Sequence, residues 1–195
     1  MSYHVNLPFK KGETLYGATV GGSVPSSGAN YNFIGQEYTY DDPTTHAQVV
    51  LRAVKNESGI TLYGQQPVVL NSAGTKILGY ARLPDSRWVV LDDSLPSTGV
   101  AANDVCFVVV RGPCTVKTAG ANLLAIVDGD MIVAATAANS TAAGTTAAGV
   151  NKIGALAAAT DASTINNGVM ARAISAATTN NTQTGIRVRM DARLI

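Results

Sequence analysis

The chain has 195 residues, a formal net charge of +1 and only 14% charged residues, against roughly 25% in ordinary soluble domains. That length allows one ordinary domain, or a domain with an extended arm. Such sparse charge excludes the basic footprint that phosphate binding needs, so no nucleic-acid partner is expected.

Apolar residues reach 46%, much of it Ala, while aromatics are only 6%. A surface rich in Ala, Thr, Asn and Gly suits contact with other protein. No apolar run follows the first positive residues of "MSYHVNLPFKKGE", so no secretory signal is expected. No stretch approaches the roughly 18 apolar residues that a membrane span needs. The expectation is a protein made in a cytoplasm, where structural disulfides are uncommon.

Residues 1–46 differ from the rest. Gly, Ser, Pro and Asn break both helical periodicity and sustained strand alternation. A plain linker would hold few aromatics, yet Tyr3, Tyr16, Tyr31, Phe33, Tyr38 and Tyr40 recur here. The segment reads as an extended N-terminal arm. These rings are either anchors on a partner surface or packing against the arm's own domain. Because the composition breaks near His46, a chain lacking 1–46 is expected to stay folded and to lose its partner.

From residue 47 onward, short strand-like runs alternate with turn signals: "QVVLRAVK", "ITLY", "PVVL", "KILGYARL", "RWVVL", "DVCFVVV", "CTVKT", "LLAIV" and "MIVAA". "AATAANSTAAGTTAAG", 134–149, is a low-complexity loop. "VNKIGAL" and "VMARAIS" resume the strand pattern around "TDASTINNG", where Asp161 is a possible cap. In "IRVRMDARLI", Ile186, Val188 and Met190 alternate with Arg187 and Arg189, the pattern of a half-buried strand. Residues 47–195 are expected to form an all-β, antiparallel β-sandwich or barrel, jelly-roll-like in outline.

The two cysteines, Cys106 and Cys114, lie in "CFVVVRGPCTVKT". With Arg111-Gly112 read as a hairpin turn, Cys106 falls roughly 10 Å or more from Cys114 along the paired strand. A disulfide needs Cα atoms within about 7 Å, so none is expected. With only His4 and His46 besides, no metal site is expected, and the thiols read as small apolar side chains.

Catalytic residues are equally scarce. A nucleophile–histidine pair would have to borrow a histidine from the arm. Asp92, Asp93, Asp128 and Asp130 flank turns, where Asp bonds the backbone. "GATVGG" lacks the strand–loop–helix setting of a nucleotide site. No enzyme activity, cofactor or small-molecule substrate is expected. Arg187, Arg189 and Arg193 form the one basic cluster, either a solvated face or an interface pairing with acidic groups of a neighbour.

Four stretches carry a resemblance: "VVLRAVKNESGITLYGQQPVVL", "VVVRGPCTVKT", "GDMIVAA" and "GVMARAISAATTNNTQTGIRVRM". A valine-rich strand leads through N-x-S-G to another strand; a G-P turn, a G-D, a G-x-x-A-R-A strand and a final strand follow. This order resembles the small capsid decoration, or cement, proteins of tailed bacteriophages, over about residues 47–195. The resemblance implies a non-catalytic homotrimer on the outer surface of the phage head. Its partner would be the major capsid protein, whose subunit contacts it would stabilise. Two other readings stand beside it. One is another virion component, such as a fibre or head–tail adaptor subunit, although no repeats are visible. The other is a carbohydrate-binding β-sandwich using Trp88 and the tyrosines.

Overall fold

The computed structural model describes residues 7–15, 33–42, 46–79, 87–118, 125–134, 150–152, 171–176 and 185–191. Their regular elements are strands: β1 (Glu37–Asp41), β2 (Gln48–Asn56), β3 (Pro67–Leu70), β4 (Lys76–Gly79), β5 (Arg87–Leu91), β6 (Val105–Lys117), β7 (Met131–Ala134), β8 (Val150–Lys152), β9 (Ala171–Ala173) and β10 (Gly185–Asp191). The protein is all-β. Loop 134–149 and Asp161 fall almost wholly outside the described residues.

Five strands pair in a closed cycle. β2 pairs with β6, β6 with β5, β5 with β3 and β3 with β4, all antiparallel. β4 then returns to β2 through the parallel pairs Lys55↔Lys76 and Asn56↔Ile77. One face of this ring carries Val54, Val68, Leu70, Ile77, Val89, Leu91, Cys106 and Val108, joined by Leu62 and Val100 from a bridged pair of loops. Such strands, buried on both faces, read as continuous Val and Leu runs rather than alternating ones. A five-stranded closure of this kind has room for side chains only.

Asn56 locks the loops over one end. Its Nδ2 donates to the carbonyls of Ile60 (2.8 Å), Val100 (3.1 Å) and Ala101 (3.1 Å). Its Oδ1 accepts from the Ser58 amide (3.1 Å) and hydroxyl (2.6 Å). The buried amide thus satisfies its own polar atoms while tying the 58–60 and 100–101 loops together.

The ring's other face carries a second core: Val49, Leu51, Ala53, Val69, Trp88, Val90, Val105, Phe107 and Val109. It continues beyond the ring because β6 outruns β2. The far half of β6 pairs with β10 from Gly185↔Lys117 to Asp191↔Arg111, and β9, β7 and β8 follow in order. Cys114, Val116, Ile132, Ala171, Ala173, Ile186, Val188 and Met190 extend the same core.

The expected hairpin at Arg111-Gly112 does not form; both halves belong to one strand of 13 residues. Gly112 instead sits beside a bulge, where the register shifts between Val50 and Leu51 of the partner strand. Its φ of +100° suits Gly, and a Cβ there would lie 2.5 Å from the Gln48 carbonyl oxygen. The bulge adds one residue, so odd positions 105–109 and even positions 114–116 share the second core. Pro113 follows at the point where β6 passes from β2 to β10, a place where a missing N–H is tolerated.

The N-terminal segment needs a larger correction. Residues 37–41, read as part of an irregular arm, form β1 and pair along β2 from Glu37↔Arg52 to Asp41↔Gln48. Phe9 is buried and stacks on Phe107, with centroids 4.0 Å apart and planes within 10°. Leu15 exchanges backbone hydrogen bonds with Val105. Arg52 of β2 meets Glu37 of β1 at 2.5 Å. Removing 1–46 would therefore uncover Phe107 and one edge of β2, rather than leave the core intact as composition suggests.

Candidate interaction surface

Of the aromatic residues read as possible anchors, Tyr3, Tyr16 and Tyr31 lie outside the described residues, as does Arg193. Phe33, Tyr38 and Tyr40 are half-buried and pack against the second core. Phe33 meets Phe9 at 5.8 Å, and Tyr38 sets its ring edge-on to Phe107 at 6.1 Å. The Tyr38 hydroxyl donates to Gln36 Oε1 (3.1 Å), and burial pushes its pKa up. The rings of these three residues thus lie on their own domain. Trp88, the platform of the carbohydrate reading, is 7% exposed within the same core. A stacking platform must present its face to solvent, and this indole does not.

Lys11 clasps the N-terminal segment to the end of β5. Its Nζ lies 2.5 Å from Asp93 Oδ1, 3.2 Å from Asp92 Oδ1 and 2.7 Å from Ser94 Oγ. Asp92, wholly buried, also accepts from the amides of Gly12 (2.7 Å) and Ser94 (2.9 Å), while Asp93 accepts from Thr115 N (3.2 Å). Desolvation pulls the Lys11 pKa down, but the two carboxylates together outweigh it, and the net shift is upward. These carboxylates act as turn and staple groups, as their sequence position implies. Asp130 likewise accepts from the Val127 amide (2.9 Å).

Both cysteines are free and buried. At about 3.3 Å per residue, eight positions along one strand put their Cα atoms roughly 25 Å apart. Cys106 belongs to the first core and Cys114 to the second. Burial, helped by Asp92 and Asp104, pushes the Cys106 thiol far up; burial and Asp93 do the same for Cys114. Neither is a thiolate at neutral pH, so neither is a nucleophile or ligand as it stands. Among the described residues no three His, Cys, Asp or Glu side chains converge as a metal cage.

The outer face of β10, β9 and β7 is different. Ile186, Val188 and Met190 point inward, which leaves Arg187 and Arg189 exposed. Register sets Arg189 directly opposite Arg172 of β9, and Arg172 opposite Met131 of β7. The Ile174 amide donates to the Arg187 carbonyl at 2.9 Å, which continues the pairing one step along. Pro113 and Thr115 of β6 flank Arg189 and Arg187 on the other side. Met131 and Ile174 are 44% and 43% exposed. Two rows result, Pro113–Arg189–Arg172–Met131 and Thr115–Arg187–Ile174. Among the described residues no carboxylate lies within ion-pair distance of the three guanidinium groups.

Of the basic residues singled out in the sequence, Arg187 and Arg189 come together here, and Arg172 joins them. Arg172 went unnoticed in "MARAIS", although Ala171 and Ala173 on either side mark it as the outward residue of a strand. No protein-family model matches the chain, and no curated protein matches it in sequence.

Proposed function

We propose that the chain is a capsid decoration protein of a tailed bacteriophage, binding the outer surface of the head and holding neighbouring major capsid subunits together without catalysis. The observation that carries this reading is where the residues of the resemblance sit in the fold. Asn56 and Ser58 of N-x-S-G tie the loops over the five-stranded ring. Gly112-Pro113 stands at the bulge where β6 passes from pairing with β2 to pairing with β10. Gly129 donates to Ala173 O (3.0 Å) and Asp130 O accepts from Ala173 N (2.9 Å), so the G-D turn and the A-R-A strand hold each other. The four motifs that carry the resemblance are thus the joints of one scaffold in this chain, and that placement is what supports the reading.

Low overall charge and an all-β body suit a subunit that acts through many modest contacts repeated by symmetry. Binding to the assembled shell stabilises it by mass action, with a small free energy per site multiplied over many sites. A homotrimer, with contacts at three-fold or quasi-three-fold positions of the head, is part of the same proposal. The test is cosedimentation of the purified chain with undecorated heads of the phage that encodes it, followed by heating of the complex. Saturable binding and a higher temperature of head disruption are expected. A chain that stays in the supernatant, or binds without protecting the heads, refutes the proposal.

A further inference from the structure

We infer that the outer face of β10, β9 and β7 is a docking surface for an extended acidic segment of a partner protein. Three observations lead there. Arg189 and Arg172 are direct cross-strand neighbours, and like charges so placed destabilise a sheet. Neither of them, nor Arg187, has a carboxylate partner among the described residues. The arginines are bordered by exposed Met131 and Ile174, and Arg with Met is the composition enriched where proteins meet proteins.

The spacing narrows the partner. Arg187 and Arg189 are two residues apart on one strand, about 6.8 Å, and Arg172 lies one strand further, about 4.8 Å away. An extended chain repeats its side chains on one face at that same 6.8 Å or so. Carboxylates at alternate positions of such a segment would each meet a guanidinium, which can bind them through two parallel hydrogen bonds. Apolar side chains at its ends would cover Met131 and Ile174. Nucleic acid fits less well, because a handful of arginines between apolar residues is far short of the several phosphate contacts that a binding groove makes. Such docking is independent of whether the partner is a capsid subunit.

The full-length chain is titrated into a fluorescently labelled peptide that alternates Glu with Ser between terminal Leu residues, with anisotropy as the readout. Controls are a peptide of the same composition with its Glu residues clustered, and a single-stranded thymidine oligonucleotide. The alternating peptide is expected to bind best, and more weakly as salt rises. Combining Arg172→Gln, Arg187→Gln and Arg189→Gln is expected to weaken it at least tenfold, roughly the loss of one good charge pair, whereas Lys10→Gln changes nothing. Arg172→Thr should weaken binding and raise the melting temperature together, because it removes the like-charge pair. A purely structural Arg172 would lower both the melting temperature and the yield of folded protein. Equal binding by the triple variant, tighter arginine-dependent binding of the oligonucleotide, or self-association lost in the triple variant would each overturn the assignment.

Discussion

Phe9→Ala tests whether the N-terminal segment belongs to the fold. Phe9 is 8% exposed, stacked on Phe107 at 4.0 Å and flanked by Phe33 at 5.8 Å. Truncating a buried Phe costs about 3–5 kcal/mol, of which roughly 0.5–1.5 belongs to the ring pair itself. Phe9 sits at the margin of the second core, where the segment can relax, so the low end applies, about 3 kcal/mol. With a urea slope of about 2 kcal/mol/M, the unfolding midpoint should fall by about 1.5 M. Trp88, the single tryptophan, lies in the same core and reports the transition by its fluorescence. A midpoint moved by less than about 0.25 M, or 0.5 kcal/mol at that slope, would mean that Phe9 does not hold the core. The segment would then be an arm merely lying nearby.

Three further expectations follow from the same contacts. Lys11→Met removes the cation between Asp92 and Asp93 and should cost about 2 kcal/mol, less than the roughly 3–5 of a fully buried pair because the Gly12 and Ser94 amides still serve Asp92. Since the folded-state pKa of Lys11 is raised, its contribution is whole below the ordinary lysine value and lost as pH rises through the raised one. The difference between wild type and Lys11→Met in urea should therefore shrink only at strongly alkaline pH; a difference that vanishes near neutrality would contradict the clasp. Gly112→Ala forces a side chain into positive φ and against the Gln48 carbonyl, so a loss of about 2–3 kcal/mol in thermal or urea unfolding is expected, and an unchanged stability would remove the bulge from the account. Finally, a thiol reagent such as DTNB should label neither cysteine in the native chain and both in denaturant; rapid native labelling would show that one of the two cores opens.

Much of the fold was legible because local pattern and environment agree. "RWVVL" became β5 and "PVVL" became β3 with their boundaries intact, since β-branched runs framed by turn residues have few alternatives. The hairpin expected at Arg111-Gly112 is a bulge for a physical reason: a glycine that suits a turn also suits a bulge, and only the partner β2 distinguishes them. β1 was invisible for want of a partner too. Five residues of "EYTYD", half-buried at most, carry little pattern of their own. The aromatic residues of the first segment had two readings; Phe33, Tyr38 and Tyr40 pack, half-buried, against the second core beside the stack of Phe9 on Phe107, a contact almost a hundred residues apart that no short stretch contains. "ITLY" shortened to a single bridge, Leu62↔Val100, because the Ile60 carbonyl accepts from Asn56 and the Tyr63 amide donates to Gln66 Oε1 instead of to a strand.

The candidate surface divides in the same way. The alternation in "IRVRM" disclosed that Arg187 and Arg189 share an outward face, which is local information. That Arg172 stands opposite Arg189, with Ile174 and Met131 at the margins, is a matter of register between separate strands, β10 with β9 and β9 with β7. Register is set by turns and by whole-sheet packing, and no short stretch contains it.

Whether this scaffold decorates a phage head is asked most directly by electron cryomicroscopy of undecorated heads mixed with the purified chain. The account predicts added density on the outer surface at three-fold or quasi-three-fold positions, present in every equivalent place at saturation. Heads with a bare outer surface at saturating protein, or density confined to the portal or the tail, would contradict it.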